Sequence, residues 1–146
     1  MVGLLLCDVD RFKLINDRHG HRTGDLALRA VAADLAGCCR DAEVPIRLQG
    51  DEFAVLLPHL PEVRDAEARA REFRTALART HTCDGLLLET SVSVGAAVDT
   101  ATATTLSALL GWADGRMYGD KRARHLTALP ITPAATRLRD LPREAA

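Results

Sequence analysis

Arg47-Leu48-Gln49-Gly50-Asp51-Glu52-Phe53, running on into Ala54-Val55-Leu56-Leu57, is the stretch that decides how this chain reads. Ile46-Arg47-Leu48 and Phe53 to Leu57 have the character of two strands flanking Gln49 to Glu52, which predicts a hairpin closed off by Pro58 and Pro61. The paired carboxylates Asp51 and Glu52, directly after Gly50, are the first candidates for chemistry. Adjacent strand residues point to opposite faces, so the two acids are free to do different jobs. The plainer reading of the same residues is a solvated hairpin tip.

Upstream, Val2 to Cys7 is a continuous apolar run, which predicts a strand buried on both faces and central in its sheet. Asp8-Val9-Asp10 ends it, and Asp10 reads as the cap of a short helix whose Phe12 and Ile15 face inward. A strand leading into a helix start presents free backbone N–H groups, a ready anion site, and Lys13 adds a cation beside it. Asp8 fits such a place if a divalent cation stands between it and a phosphate; otherwise Asp8 and Asp10 simply cap the helix. Asn16 to Asp25 is a polar loop in which Gly20 and Gly24 read as turn residues. Asp25 opens a second helix that runs to about Gly37, with Leu28, Val31 and Leu35 on one stripe. Asn16 and Asp25 combine donor and acceptor groups suited to the edge of a purine base. His19 and His21 are two apart, which suits neither one helical face nor a metal-ligand spacing.

Downstream, Cys38 to Pro45 is a connector, and Glu62 to about Thr80 reads as a helix with Val63, Ala66, Ala70, Phe73 and Leu77 inward. Asp65 with Arg69, and Glu67 with Arg71, have the spacing of i,i+4 pairs on a solvated face. Leu86 to Val98 holds one or two strands, with Gly95 marking a close backbone approach. Thr104 or Thr105 caps a last helix striped by Leu106, Leu109, Leu110, Ala113 and Met117, with a basic end at Lys121, Arg122 and Arg124. Beyond Leu126, Pro130, Pro133 and Pro142 interrupt any periodicity, so residues 127–146 read as a flexible tail. This order of strands and helices predicts an α/β or α+β sandwich with helices packed on one sheet.

At 146 residues, 47% hydrophobic and 27% charged, the chain suits one soluble domain with a substantial core. Its formal net charge of −1 provides no global basic field for nucleic acid, so any phosphate site is local. Cys7, Cys38, Cys39 and Cys83 match no zinc spacing and read as reduced thiols of a cytosolic protein. The apolar run at the N-terminus is too short for a membrane span and lacks the flanks of a signal peptide.

With these elements placed, the chain resembles the GGDEF family of diguanylate cyclases. The resemblance rests on Asp8-Val9-Asp10-Arg11-Phe12-Lys13-Leu14-Ile15-Asn16-Asp17, Gly20-His21 with Gly24-Asp25, Gln49-Gly50-Asp51-Glu52-Phe53, Ser93-Val94-Gly95, and Ala113-Asp114 with Tyr118 and Lys121. It runs from about Leu4 to His125, within a domain of residues 1–126, and implies a palm-like nucleotide-cyclase sandwich, a central, mostly antiparallel sheet flanked by helices. The implied activity is condensation of two GTP into cyclic di-GMP by two domains facing each other as a homodimer. The resemblance places magnesium or manganese on Asp8, the Val9 carbonyl and Asp51, with Glu52 assisting the metal or deprotonation of the attacking hydroxyl. It assigns guanine to Asn16 and Asp25, and phosphate to Lys13, Lys121 and the amides near Phe12, with Gly50 beside the nucleotide.

Four departures bear on these expectations. Gln49 stands where the signature has its first glycine, adding a long side chain where the nucleotide approaches bare backbone. The helix and turn that usually precede the first strand are not in this sequence, which would leave an apolar sheet face for a regulatory partner to cover, unless the gene is short or its start misassigned. The product-inhibition site of the family corresponds to Arg40 and Glu43 with Arg71 in support, Glu replacing Asp. His125 stands where the family has an arginine, with Arg124 beside it. Two readings follow: an active diguanylate cyclase, or a silent module that binds GTP or cyclic di-GMP.

Overall fold

The run Gly3–Val9 is a strand, β1, buried along its whole length, with a neighbour on each side. The computed structural model describes residues 1–100, 105–127 and 135–137. After β1 come helices α1 (Phe12–His19) and α2 (His21–Cys38), the hairpin of β2 (Val44–Gln49) and β3 (Glu52–Leu57), and helix α3 (Val63–Ala76). Strands β4 (Arg79–Cys83), β5 (Leu86–Thr90) and β6 (Val92–Val98) follow, then helix α4 (Leu106–Thr127) and the short strand β7 (Ala135–Arg137). One antiparallel sheet has the order β2-β3-β1-β6 and a smaller one the order β4-β5-β7. The chain is the expected mixed α/β sandwich, an antiparallel sheet flanked by helices.

The period of two along β1 divides the core into layers. Leu5, Cys7 and Val9 meet Leu28, Val31 and Leu35 of α2 and Ala66, Ala70 and Phe73 of α3. Leu4 and Leu6 meet Leu109, Ala113 and Met117 of α4 on the other face. Gly95 lets α4 settle there, since a Cβ at that position would lie 2.0 Å from the Ala113 carbonyl oxygen. The Cys7 thiol is pushed up to about 12 by burial in the first layer.

The outer edge of β6 is closed by side chains of α4. Arg116 donates to the Ala96 carbonyl at 2.6 Å, Asp120 accepts from the Val94 N–H at 3.2 Å, and Arg124 donates to the Val92 carbonyl. A four-residue helical step of about 6 Å matches a two-residue strand step of nearly 7 Å, so three successive outward groups are satisfied. At the other edge β2 is exposed throughout, including Val44, Ile46 and Leu48, and Pro45 is tolerated there.

The structure differs from the sequence reading at several elements. Helix α3 starts as expected, with Glu62 and Asp65 forming a capping box, but ends at Ala76. Arg79–Cys83, whose first two residues were expected in that helix, is a strand paired with β5 across Asp84-Gly85, both at positive φ (53° and 75°). Neither Asp65–Arg69 nor Glu67–Arg71 is the pair that forms: Arg69 turns inward to Glu43 and Glu72, and Glu67 meets Arg116. Thr105 caps α4 by accepting from the Ala108 N–H at 3.2 Å, whereas Thr104 lies outside the described residues. Leu106 is exposed, one turn too early to reach the sheet. Of the expected tail, Ala135–Arg137 pairs with β5 as β7; the other residues after Thr127 lie outside the described part.

Candidate functional site

The alternation that places Leu4 and Leu6 under α4 continues to Asp8 and Asp10 at the end of β1. Asp8 is directly opposite Glu52 on β3 and Ser93 on β6, and directly opposed residues share a sheet face. The four-residue stripe of α4 continues from Ala113 and Met117 to Lys121, whose Nζ donates to Asp8 Oδ1 at 2.6 Å. Where the apolar layer ends, the same geometry delivers a carboxylate pair and a cation. Burial raises the Asp8 carboxyl above its ordinary value; Lys121 opposes this, while Asp51 and Asp10 add to it. Burial also disfavours charge on Lys121, but its contact with Asp8 outweighs that and raises it.

Gly50 and Asp51 form the two-residue turn between β2 and β3, with Gly50 at φ 53°, a conformation glycine adopts freely. Arg47 straddles the turn, its Nε and Nη2 donating to the Gly50 carbonyl at 3.2 and 2.8 Å. The Val9 N–H donates to the Asp51 carbonyl at 3.1 Å, which seats the turn against the end of β1. Asp8, Val9, Asp51 and Glu52 are thereby brought together. A bulge between Arg47 and Gln49 resets the alternation, so Gln49 lies opposite Glu52 and on the same sheet face as Asp8.

These groups fit magnesium's requirements. Among the described residues no cluster of three acidic, His or Cys side chains is placed to hold an ion alone. Magnesium needs no such cage: it takes one or two carboxylates and completes its shell with phosphate oxygens and water.

Helix α1 begins beyond a sharp turn at Arg11, which is left-handed at φ 58° and makes no side-chain cap. Asp10 is therefore not the expected cap. Its carboxylate turns back to the strand and accepts from Ser91 Oγ and Ser93 Oγ, each at 2.6 Å. Lys13 is exposed and Phe12 packs half-buried on the core. Asn16 on α1 lies against Gly24, which is inside α2 rather than in a turn: a Cβ there would come within 1.9 Å of Asn16 Oδ1. Asp25, in the second turn of α2 rather than its first, is exposed. Asn16 Oδ1 is buried without a hydrogen-bond partner, an arrangement that a donor from a ligand would complete.

Arg40 and Glu43 line a cleft of about 320 Å³ with Leu57, Asp65, Arg69 and Glu72. Glu43 accepts from the Arg40 N–H at 2.9 Å and from Arg69 Nε at 2.8 Å. Arg71 is exposed: two residues from Arg69, it points to the opposite side of α3. Arg69, which the sequence analysis left out, is the arginine that holds Glu43 within the chain. Arg69 falls within the stripe of Ala66, Ala70 and Phe73, and a charge in an apolar stripe is the signal of a buried pair. The roles of Ser91, Ser93 and Arg124 around Asp10 were also missed; only the alternation of Ser91 and Ser93 along a strand pointed to them.

A family model described as diguanylate cyclase, GGDEF domain, matches residues 1–126. The chain belongs to the GGDEF family. Among its relatives, diguanylate cyclase TpbB of Pseudomonas aeruginosa is 41% identical over 122 residues, 83% of this chain and 28% of that protein. This GGDEF chain thus spans less than a third of that curated relative. The crystal structure of the TpbB GGDEF domain superposes with a TM-score of 0.78 at 40% identity, over 84% of this chain and 76% of the other. The GGDEF domain of DgcB from Caulobacter crescentus, solved in complex with c-di-GMP, gives 0.74 at 27% identity, over 84% and 72%.

Proposed function

We propose that this GGDEF domain is a diguanylate cyclase that joins two GTP into cyclic di-GMP, releasing two pyrophosphates. The observation that carries this reading is the convergence of Asp8, Val9, Asp51 and Glu52 beside Lys121 at the end of β1. In this reading the Asp8 and Asp51 carboxylates and the Val9 carbonyl hold a divalent cation, magnesium or manganese, which supplies charge stabilisation at the reacting phosphate. Glu52 supports the metal or accepts the proton of the attacking ribose hydroxyl. Lys121 and Lys13, with the amides around Phe12 and the bare backbone at Gly50, hold the phosphates. Asn16 and Asp25 read guanine, and the unpartnered Oδ1 of Asn16 supports that role.

One domain binds one GTP, so closure of the ring requires two domains face to face, a homodimer at least during turnover. The regulatory partner of this reading would cover the sheet next to the start of β1. Among the described residues no helix is long and apolar enough to cross a membrane, and GTP as substrate places the domain in the cytoplasm. The test is incubation of the purified chain with GTP and magnesium, then chromatography for cyclic di-GMP. Asp51→Ala must abolish the product; unchanged synthesis would refute the assignment. A second reading, a silent domain that binds GTP or cyclic di-GMP, draws on Gln49 lying on the metal-facing side of the sheet. Nucleotide binding without product formation identifies it.

A further inference from the structure

Asp10 takes no part in the reading above, yet it is more extensively bonded than its neighbours at the end of β1. Its side chain is 13% exposed and accepts from the hydroxyls of Ser91 and Ser93, one on each carboxylate oxygen; Arg124 Nη1 lies 3.2 Å from Oδ2. Arg124 also donates to the Val92 carbonyl, so α4, β6 and β1 are joined at one point. The Asp10 N–H donates to the Ser91 carbonyl at 2.9 Å. That bond fixes the plane of the peptide linking Val9 to Asp10. In a trans peptide the C=O points opposite to the N–H, so the Val9 carbonyl is aimed away from β6, toward the side on which Asp51 lies. The next residue, Arg11, is the left-handed one, a conformation that a side chain with a Cβ keeps only where its surroundings hold it.

We propose that Asp10 is a positioning residue of the metal and phosphate site, an inference that rests on the nucleotide reading given above. Clamped by Ser91, Ser93 and Arg124, it holds the turn from β1 into α1 in one conformation. Asp8 and the Val9 carbonyl then address the same cation, and the first amides of α1 address the phosphates. Asp10 itself faces β6 and α4, its carboxylate taken up by Ser91, Ser93 and Arg124. Its contribution is preorganisation, the kind made by groups that orient metal ligands from behind.

The variants are Asp10→Asn, which keeps the shape and removes the charge, and Ser91→Ala with Ser93→Ala, which removes both hydroxyls and leaves the carboxylate. Manganese binding in the presence of saturating GTP is read by electron paramagnetic resonance of the free ion, with thermal midpoints recorded on the same samples. We expect manganese affinity to fall about tenfold or more in both variants, measured well below either midpoint. Ser91→Thr, which keeps a hydroxyl, should bind as the native chain does. A purely structural Asp10 would lower the midpoint and leave manganese affinity unchanged, which overturns the proposal. If Asp10→Asn does not fold, the double serine variant decides by the same criterion. If the native chain binds no manganese with GTP, the nucleotide reading itself fails and this inference falls with it, an outcome distinct from equal binding by native and variant chains.

Discussion

Arg69 holds Glu43 through two parallel bonds, Nε to Oε1 and Nη2 to Oε2, with the two side chains only 7% and 9% exposed. Burial alone would raise the Glu43 carboxyl, but the bonds from Arg69 and from the Arg40 N–H outweigh it and hold the carboxyl below its ordinary value. A carboxyl lowered on folding adds stability that is complete above the unfolded value, about pH 4, and is lost as pH falls through the folded one. Arg69→Met keeps the packing on Phe73 but strands a buried carboxylate. We expect it to cost about 3 kcal/mol at pH 7 by urea denaturation, with the deficit shrinking as pH falls, first as the stranded Glu43 of the variant, raised by burial, takes up its proton and then as the native pair is lost. A deficit independent of pH would mean that packing, not the ion pair, was lost.

The same pair bears on feedback by product. Both oxygens of Glu43 accept bonds from within the chain, and Arg40 Nη2 is engaged with Glu72 at 3.3 Å. A guanine edge can reach Glu43 only by displacing Arg69 from a buried bidentate bond. Added cyclic di-GMP is therefore expected to slow synthesis no more in the native chain than in Arg40→Ala, as read from initial rates against product concentration. Sensitivity about tenfold greater in the native chain would show that the cleft opens for product.

Much of this domain was legible before its structure. The apolar run ending in Asp8, the hairpin around Gly50-Asp51 and the stripe of α4 each carry a local period, and period fixes which residues share a face. Asp8 and Glu52 could be named because both lie where such a period ends. What the sequence did not disclose depends on register and on contacts between distant segments. Asp10 has the spacing of a cap, and only the pairing of β1 with β6 shows Ser91 and Ser93 waiting for it. Gly24 looks like a turn until Asn16 is seen against it. The Asp84-Gly85 turn was readable, but the helix expected to about Thr80 took in the first residues of the strand before it.

Asp8 lies where function and stability conflict. Burial, with Asp51 and Asp10 nearby, raises its carboxyl, so its charged form is held at a cost that the cation of the proposed function would offset. The sign follows: a carboxyl raised by folding takes up its proton first in the folded state, so this contribution to stability grows as pH falls through the folded value. Asp8→Asn can still accept from Lys121 through its amide oxygen. It should remove cyclic di-GMP synthesis while leaving the urea midpoint at pH 7 unchanged or higher, as engineered relief of functional sites commonly does. A loss above about 2 kcal/mol would instead make the ion pair with Lys121 a net stabiliser in the absence of metal.

Gln49 separates an enzyme from a silent binder. The bulge after Arg47 places it opposite Glu52 and on the face of Asp8, next to the Gly50-Asp51 turn that a nucleotide would approach in the proposed function. Gln49→Gly removes that side chain next to Gly50, which already has φ 53°, so a second glycine makes the turn looser at a modest cost in stability. If the side chain obstructs the reacting geometry, Gln49→Gly raises the rate at saturating GTP by about tenfold or more, some 1.4 kcal/mol of barrier, with GTP affinity little changed. Equal rates would mean that Gln49 lies aside during turnover and the native site is complete. If neither protein turns over while both bind GTP with magnesium, the obstruction lies elsewhere. The next quantity to measure is then the fraction of dimer, because a bound nucleotide without a facing partner has nothing to attack.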